Sequence, residues 1–148
     1  MDGLIKKIGK SKLIINKLIE NTVLWMTGGL LYFYLEIAFR NYSHYSMIVC
    51  GGFCFVIVGT IGKYILETES DILKAVALIM FFGALVITTL ELFTGIIVNM
   101  KLNMGVWDYS SMKYNVYGQI CLTYTMIWAL LSLLCVFVSN TIKKFLFK

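Results

Sequence analysis

The chain has 148 residues, 59% of them hydrophobic and only 14% charged, whereas soluble domains carry about a quarter charged residues. Its net charge of +5 is gathered between long uncharged runs, which excludes a water-soluble domain and points to lipid contact, not to nucleic acid. A transmembrane barrel is also excluded, because it would show short alternating segments in place of continuous apolar runs.

The expected fold is therefore all-α, a polytopic membrane protein built as a four-transmembrane-helix bundle with an N-terminal amphipathic interfacial helix. Proline is absent, so nothing forces a helix to break. Residues 1–21 form the basic amphipathic segment: Leu4, Ile5, Ile8, Ile15, Leu18 and Ile19 recur at helical spacing while lysines occupy much of the remaining surface. Such a helix lies on the inner leaflet against anionic lipid, and a docking surface for a soluble partner is the alternative. Residues 22–148 form the transmembrane domain, with spans near 22–40, 46–64, 75–99 and 118–140.

Each span rests on a run with little or no charge, since a bilayer core of roughly 30 Å needs about 20 apolar residues in a helix. Residues 41–62 and 114–142 contain no Lys, Arg, Asp or Glu; residues 21–39 hold only Glu36 and residues 75–100 only Glu91. The first run lacks a small-residue cleavage site and holds Trp25, Tyr32, Tyr34 and Glu36, so it reads as a retained span, not a signal peptide. Cys50, Cys54, Cys121 and Cys135 all fall inside spans, where they act as small apolar packing residues; no metal site is expected.

Alternating connections place Lys6, Lys7, Lys10, Lys12, Lys17, Lys63, Lys74, Lys143, Lys144 and Lys148 on one side, ten of the thirteen basic residues. Arg40, Lys101 and Lys113 fall on the other. The positive-inside rule then puts both termini in the cytoplasm of a multi-pass cell-membrane protein.

Two carboxylates sit in the outer halves of spans, and an intramembrane ionisable residue faces protein, water or a ligand. Glu36 has Arg40 one helical turn on, which supplies a structural partner. Glu91 has no basic residue within a turn, and burial without a cation disfavours its charged form. Glu91 and, behind it, Glu36 are thus the candidate substrate or proton sites. The segments around Leu35–Glu36 and Leu90–Glu91 suggest a short parallel repeat of two hairpins. His44 lies among tyrosines and serines in the first external loop, either an interfacial residue or a pH sensor. Gly28, Gly29, Gly51, Gly52, Gly59 and Gly62 let helices approach closely.

The most specific text is ELFTGIIVN from Glu91, WDYS at Trp107 to Ser110, Asn115, Gly118, ICL at Ile120 to Leu122, and Trp128 with Leu131. It resembles the bacterial membrane family labelled putative ABC-transporter type IV, in which an ELxxG helix, a WDYS motif and an NxxGxICL segment lead into a tryptophan-containing last helix. The resemblance covers the C-terminal half most fully and implies a permease component. From the residues themselves, Trp107, Asp108, Tyr109, Ser110 and Asn115 are candidates for an external cap or mouth: Trp107 in the headgroup belt, Asp108 capping a turn, Asn115 with Gly118 shaping entry to the last helix.

No GxxxxGK[ST], nucleophile elbow or zinc-protease motif occurs. No catalytic residues, cofactor or enzymatic activity are expected, and an ATPase partner would be a separate subunit. The expected function is a transport-related, permease-like subunit that forms a homo-oligomer, because four helices leave limited room for a cavity. A non-transporting membrane scaffold or partner-binding protein is the alternative.

Overall fold

Large apolar side chains cover the outside of the molecule: Phe39 is 85% exposed and Leu73 79% exposed, with Phe81, Phe137 and many others alike. Water does not tolerate apolar surface on this scale, whereas lipid does. The computed structural model describes the backbone of residues 2–147 and the side chains of residues 9–147. Among them are four helices long and apolar enough to cross a membrane. In order these are α1 (Asp2–Arg40), α2 (Tyr45–Thr68), α3 (Ile72–Gly95) and α4 (Leu122–Leu146).

The first span and the N-terminal segment are one helix. Nothing near residue 21 stops a helix, since no proline or glycine lies there, and α1 continues for 39 residues, about 58 Å at the usual rise. The side chains of Leu4, Ile5 and Ile8 lie outside the described residues. Further along, Leu13, Ile14, Ile15, Leu18 and Ile19 are all at least half exposed. At 100° per residue they cover more than one face of α1.

Short, capped turns join α1 to α2 and α2 to α3. Asn41, with φ 55°, ends α1 in the left-handed conformation that asparagine tolerates, and its N–H donates to the Ile37 carbonyl at 2.8 Å. Asp71 caps α3 by accepting from the Leu73 and Lys74 amides at 2.9 and 3.3 Å. The connection from α2 to α3 is thus only residues 69–71, because both helices extend past the expected spans.

The central element is α2, which packs on α1, α3 and α4, whereas α1 and α4 scarcely touch. Small residues set these approaches. A Cβ at Gly28 would fall 2.1 Å from the Phe55 side chain, at Gly62 2.1 Å from Val136 and at Gly83 2.3 Å from Ser132, so each helix pair is nearer than any larger residue allows. The core so formed runs from Cys50, Cys54 and Val58 through Ile79 and Ile87 to Trp128 and Val136. All four cysteines are free thiols.

Beyond α3 the helix widens into a π-helical turn, Ile96–Lys101. A loop and a two-residue hairpin follow, β1 (Asn115–Val116) antiparallel to β2 (Ile120–Cys121). This segment covers the bundle end that carries Arg40, the capped end.

Candidate functional site

The π turn places Asn99 under the cap. Its side-chain amide donates to the Trp107 carbonyl at 3.0 Å and to Gln119 Oε1 at 2.8 Å, while its oxygen accepts from the Val106 N–H at 2.7 Å. One polar side chain therefore fixes both limbs of the capping segment. Gly95, one turn earlier, makes room: a Cβ there would stand 2.5 Å from Gln119 Oε1 and 3.0 Å from the Trp107 ring.

The WDYS tetrapeptide folds on this base. Trp107 is only 5% exposed and its indole N–H donates to the Gln119 carbonyl at 2.9 Å. It is therefore an internal anchor of the cap, not a headgroup-belt residue, because the N–H has found a protein carbonyl and no longer needs water or lipid. Asp108 accepts from the Ser110 N–H at 2.8 Å and from the Ser110 hydroxyl, and these donors hold its carboxyl below the usual aspartate range. Asn115 donates to the Ser110 and Met112 carbonyls and accepts from Gly118 N–H. Gly118 has φ +67°, and a Cβ there would meet Ser110 Oγ at 2.5 Å and Asp108 Oδ1 at 2.7 Å, so both conformation and space require glycine.

Tyr109 points from the cap into the bundle, where its hydroxyl donates to Glu91 Oε1 at 3.1 Å. The other oxygen, Oε2, accepts from Trp128 Nε1 of α4 at 2.8 Å. Glu91 is 3% exposed and so joins three parts of the chain: α3, the cap and α4. Burial, reinforced by the neighbouring carboxylate, drives the Tyr109 phenol well above its ordinary range, which keeps it a hydrogen-bond donor. An aromatic series continues from it, Tyr109 stacked on Tyr124 at 4.7 Å, then Trp128, then Tyr32 of α1.

Glu36 is occupied locally. Its Oε1 accepts from Arg40 Nη1 at 2.8 Å and its Oε2 from the Ser43 hydroxyl at 2.6 Å, while Arg40 Nη2 donates to the Val106 carbonyl at 2.6 Å. The pair thereby ties α1 to the cap. The two carboxylates of the suggested hairpin repeat thus have different partners, an arginine for Glu36 and neutral N–H and O–H donors for Glu91.

Between α1 and α4, which scarcely touch, lies a cleft of about 330 Å³ lined by Glu36, Arg40, Tyr109, Tyr124, Ile127 and Trp128 among others. A second space of about 240 Å³ continues it toward Gly28 and Leu134, sharing Tyr32, Leu35, Trp128 and Leu131. No group of His, Cys, Asp and Glu among the described residues is arranged to hold a metal ion.

The sequence singled out Glu36, Glu91, Trp107, Asp108, Tyr109, Ser110 and Asn115; the fold brings all of them to the capped end. Asn99 and Gln119 carry no functional signal in the sequence, although Asn99 closes the run ELFTGIIVN and is the one amide side chain between Asn41 and Asn103, and Ser43 stands there only as a neighbour of His44. His44 accepts from the Ser46 N–H and opens α2.

In comparison with known proteins, the family model described as putative ABC-transporter type IV matches residues 23–148. No curated protein and no solved structure matches the chain.

Proposed function

The chain belongs to the putative ABC-transporter type IV family, and from that premise we propose that it is a permease-like subunit in which the external cap senses or gates an intramembrane site at Glu91. The observation that carries this proposal is the double attachment of Glu91, to Tyr109 of the cap and to Trp128 of α4. A buried carboxylate joined to an external segment and to a helix bordering a cleft moves only if cap and helix move with it, and intramembrane carboxylates mark ion and substrate pathways. Glu36, with both oxygens taken by Arg40 and Ser43, is the anchor of the cap, and Glu91 is the substrate or proton group. Energy comes from a separate ATPase subunit, since the chain has no phosphate-binding loop; the chain itself does no chemistry. It sits in the cell membrane with both termini in the cytoplasm, its basic N-terminal segment against anionic lipid, and works as a homo-oligomer.

The scaffold alternative is favoured by one feature, the length of α1, which exceeds a bilayer core of roughly 30 Å by nearly as much again and carries Lys10, Lys12 and Lys17 on that excess. Gene deletion separates the two. Uptake and export of labelled small molecules are profiled in the deletion strain, then after complementation with wild type or Glu91→Gln. A flux defect restored by wild type and not by Glu91→Gln supports the permease. An unchanged flux profile, with a soluble partner lost from the membrane fraction, supports the scaffold.

A further inference from the structure

The cleft between α1 and α4 is polar at one end and apolar along the rest. At the capped end stand Glu36, Arg40 and Tyr109; toward mid-membrane the walls are Gly28, Leu31, Leu134 and Val138, with no charged group. From Arg40 to Gly28 is twelve residues of α1, about 18 Å, close to the half-thickness, about 15 Å, of a bilayer core. Farther from the cap the cleft is bounded again, because Lys143 of α4 reaches Glu20 of α1 at 4.0 Å. The opening thus spans one leaflet and faces lipid sideways.

We propose that this cleft holds one acyl chain of a glycerophospholipid drawn from the leaflet at the capped end, with the lipid phosphate received by Arg40. The arginine suits the task. Its guanidinium carries five N–H donors in a planar fork; Nη1 and Nη2 each donate once, to Glu36 and to the Val106 carbonyl, and the other N–H groups have no partner among the described residues. Its side chain is 30% exposed, so an incoming anion reaches it. Glu36 also accepts from Ser43, so its charge does not depend on Arg40 alone and the guanidinium can be shared with a phosphate. Below, Leu35, Ile127 and Leu131 offer the chain an apolar wall, and the Tyr32 and Trp128 rings, tilted 41° to each other, an aromatic floor.

This inference goes beyond the transport reading and does not rest on it, since a scaffold would hold the lipid equally well. The test uses the full chain, delipidated by prolonged detergent exchange, with native mass spectrometry after titration of phosphatidylglycerol or of diacylglycerol bearing the same chains. One phosphatidylglycerol is expected per chain, bound about tenfold or more tightly than diacylglycerol, the difference a charge-assisted hydrogen bond provides. Ile127→Trp, at a position 40% exposed, fills the cleft without touching the core; it should abolish retention while leaving the melting temperature unchanged. Arg40→Gln should erase the preference for phosphatidylglycerol, and if that variant fails to fold, the comparison of the two lipids on wild type still decides whether the phosphate matters. Equal binding of both lipids, or full retention by a folded Ile127→Trp, overturns the proposal. So does a dimer mass that Ile127→Trp removes, which would show a second copy seated in the cleft.

Discussion

Removing the donors to Glu91 one at a time should reveal a hub rather than two independent bonds. The Trp128 bond is short, at 2.8 Å, and fully buried, while the Tyr109 bond is longer, at 3.1 Å, and half-buried. At a pH where Glu91 is ionised, hydrogen bonds to its charged carboxylate contribute about 1.5–3 kcal/mol, which puts Tyr109→Phe at about 1.5 kcal/mol and Trp128→Phe at about 2–3 kcal/mol, before lost packing. With both donors gone the carboxylate is buried without a partner, so the double variant should cost more than the sum. In a Glu91→Gln background the acceptor is neutral, and each loss should shrink to about 1 kcal/mol. Reversible unfolding in mixed micelles, arranged as a double-mutant cycle, supplies the numbers. Single-variant costs within about 0.5 kcal/mol of zero, the range of neutral surface changes, would refute the hub; so would costs that Glu91→Gln leaves untouched.

Other consequences are equally direct. Gly118→Ala should destabilise the cap by about 1–3 kcal/mol, since it adds left-handed strain to a clash, read as faster proteolysis within residues 107–118. Because the donors of Ser110 depress the Asp108 carboxyl, its contribution is complete above the unfolded aspartate pKa of about 3.9 and fades as pH falls through the lower folded value. Amide exchange at Ser110 should accelerate over that acid window, and Asp108→Asn should remove this pH dependence. Gly62→Ala should loosen the contact of α2 with α4 by about 1–3 kcal/mol, and Val136→Ala, which clears the space, should recover part of the lost melting temperature. In a cysteine-free background, cysteines introduced at Ser11 and Lys144 should resist an impermeant reagent in intact cells while one at Lys113 reacts; the opposite pattern would invert the proposed orientation.

The four spans were legible because lipid imposes a long uncharged run on every crossing, and no partner elsewhere in the chain is needed to see it. The Glu36–Arg40 pair was legible for a similar reason, as two residues one turn apart on one helix. The partners of Glu91 were not. Trp128 is 37 residues away and Tyr109 18, separations that carry no periodic signal. Asn99 and Gln119 were hidden differently: an amide in a helix end or loop looks like solvated surface until the chain closes over it. Trp107 shows the converse, since an aromatic residue next to a span is expected at the headgroups and only its indole N–H, donated to Gln119, reveals that it points inward. The backbone of α1 runs unbroken through residue 21, because a change of surface chemistry there is not a helix stop.

The π turn at Ile96–Lys101 makes residue count in this region a matter of rotation. A wide turn accommodates about one residue more than an α turn, so a one-residue deletion between 96 and 98 is taken up by relaxation into regular helix, with the residues on either side close to their present facing. A one-residue insertion at the same place has no such slack: it would turn the side chain of Asn99 around the axis by about 100°, and the amide that grips Val106, Trp107 and Gln119 would face elsewhere. Chain length here is therefore constrained in one direction: a shortening is absorbed and a lengthening is not, while substitutions at Ile97 or Met100, both about half exposed, leave the grip in register.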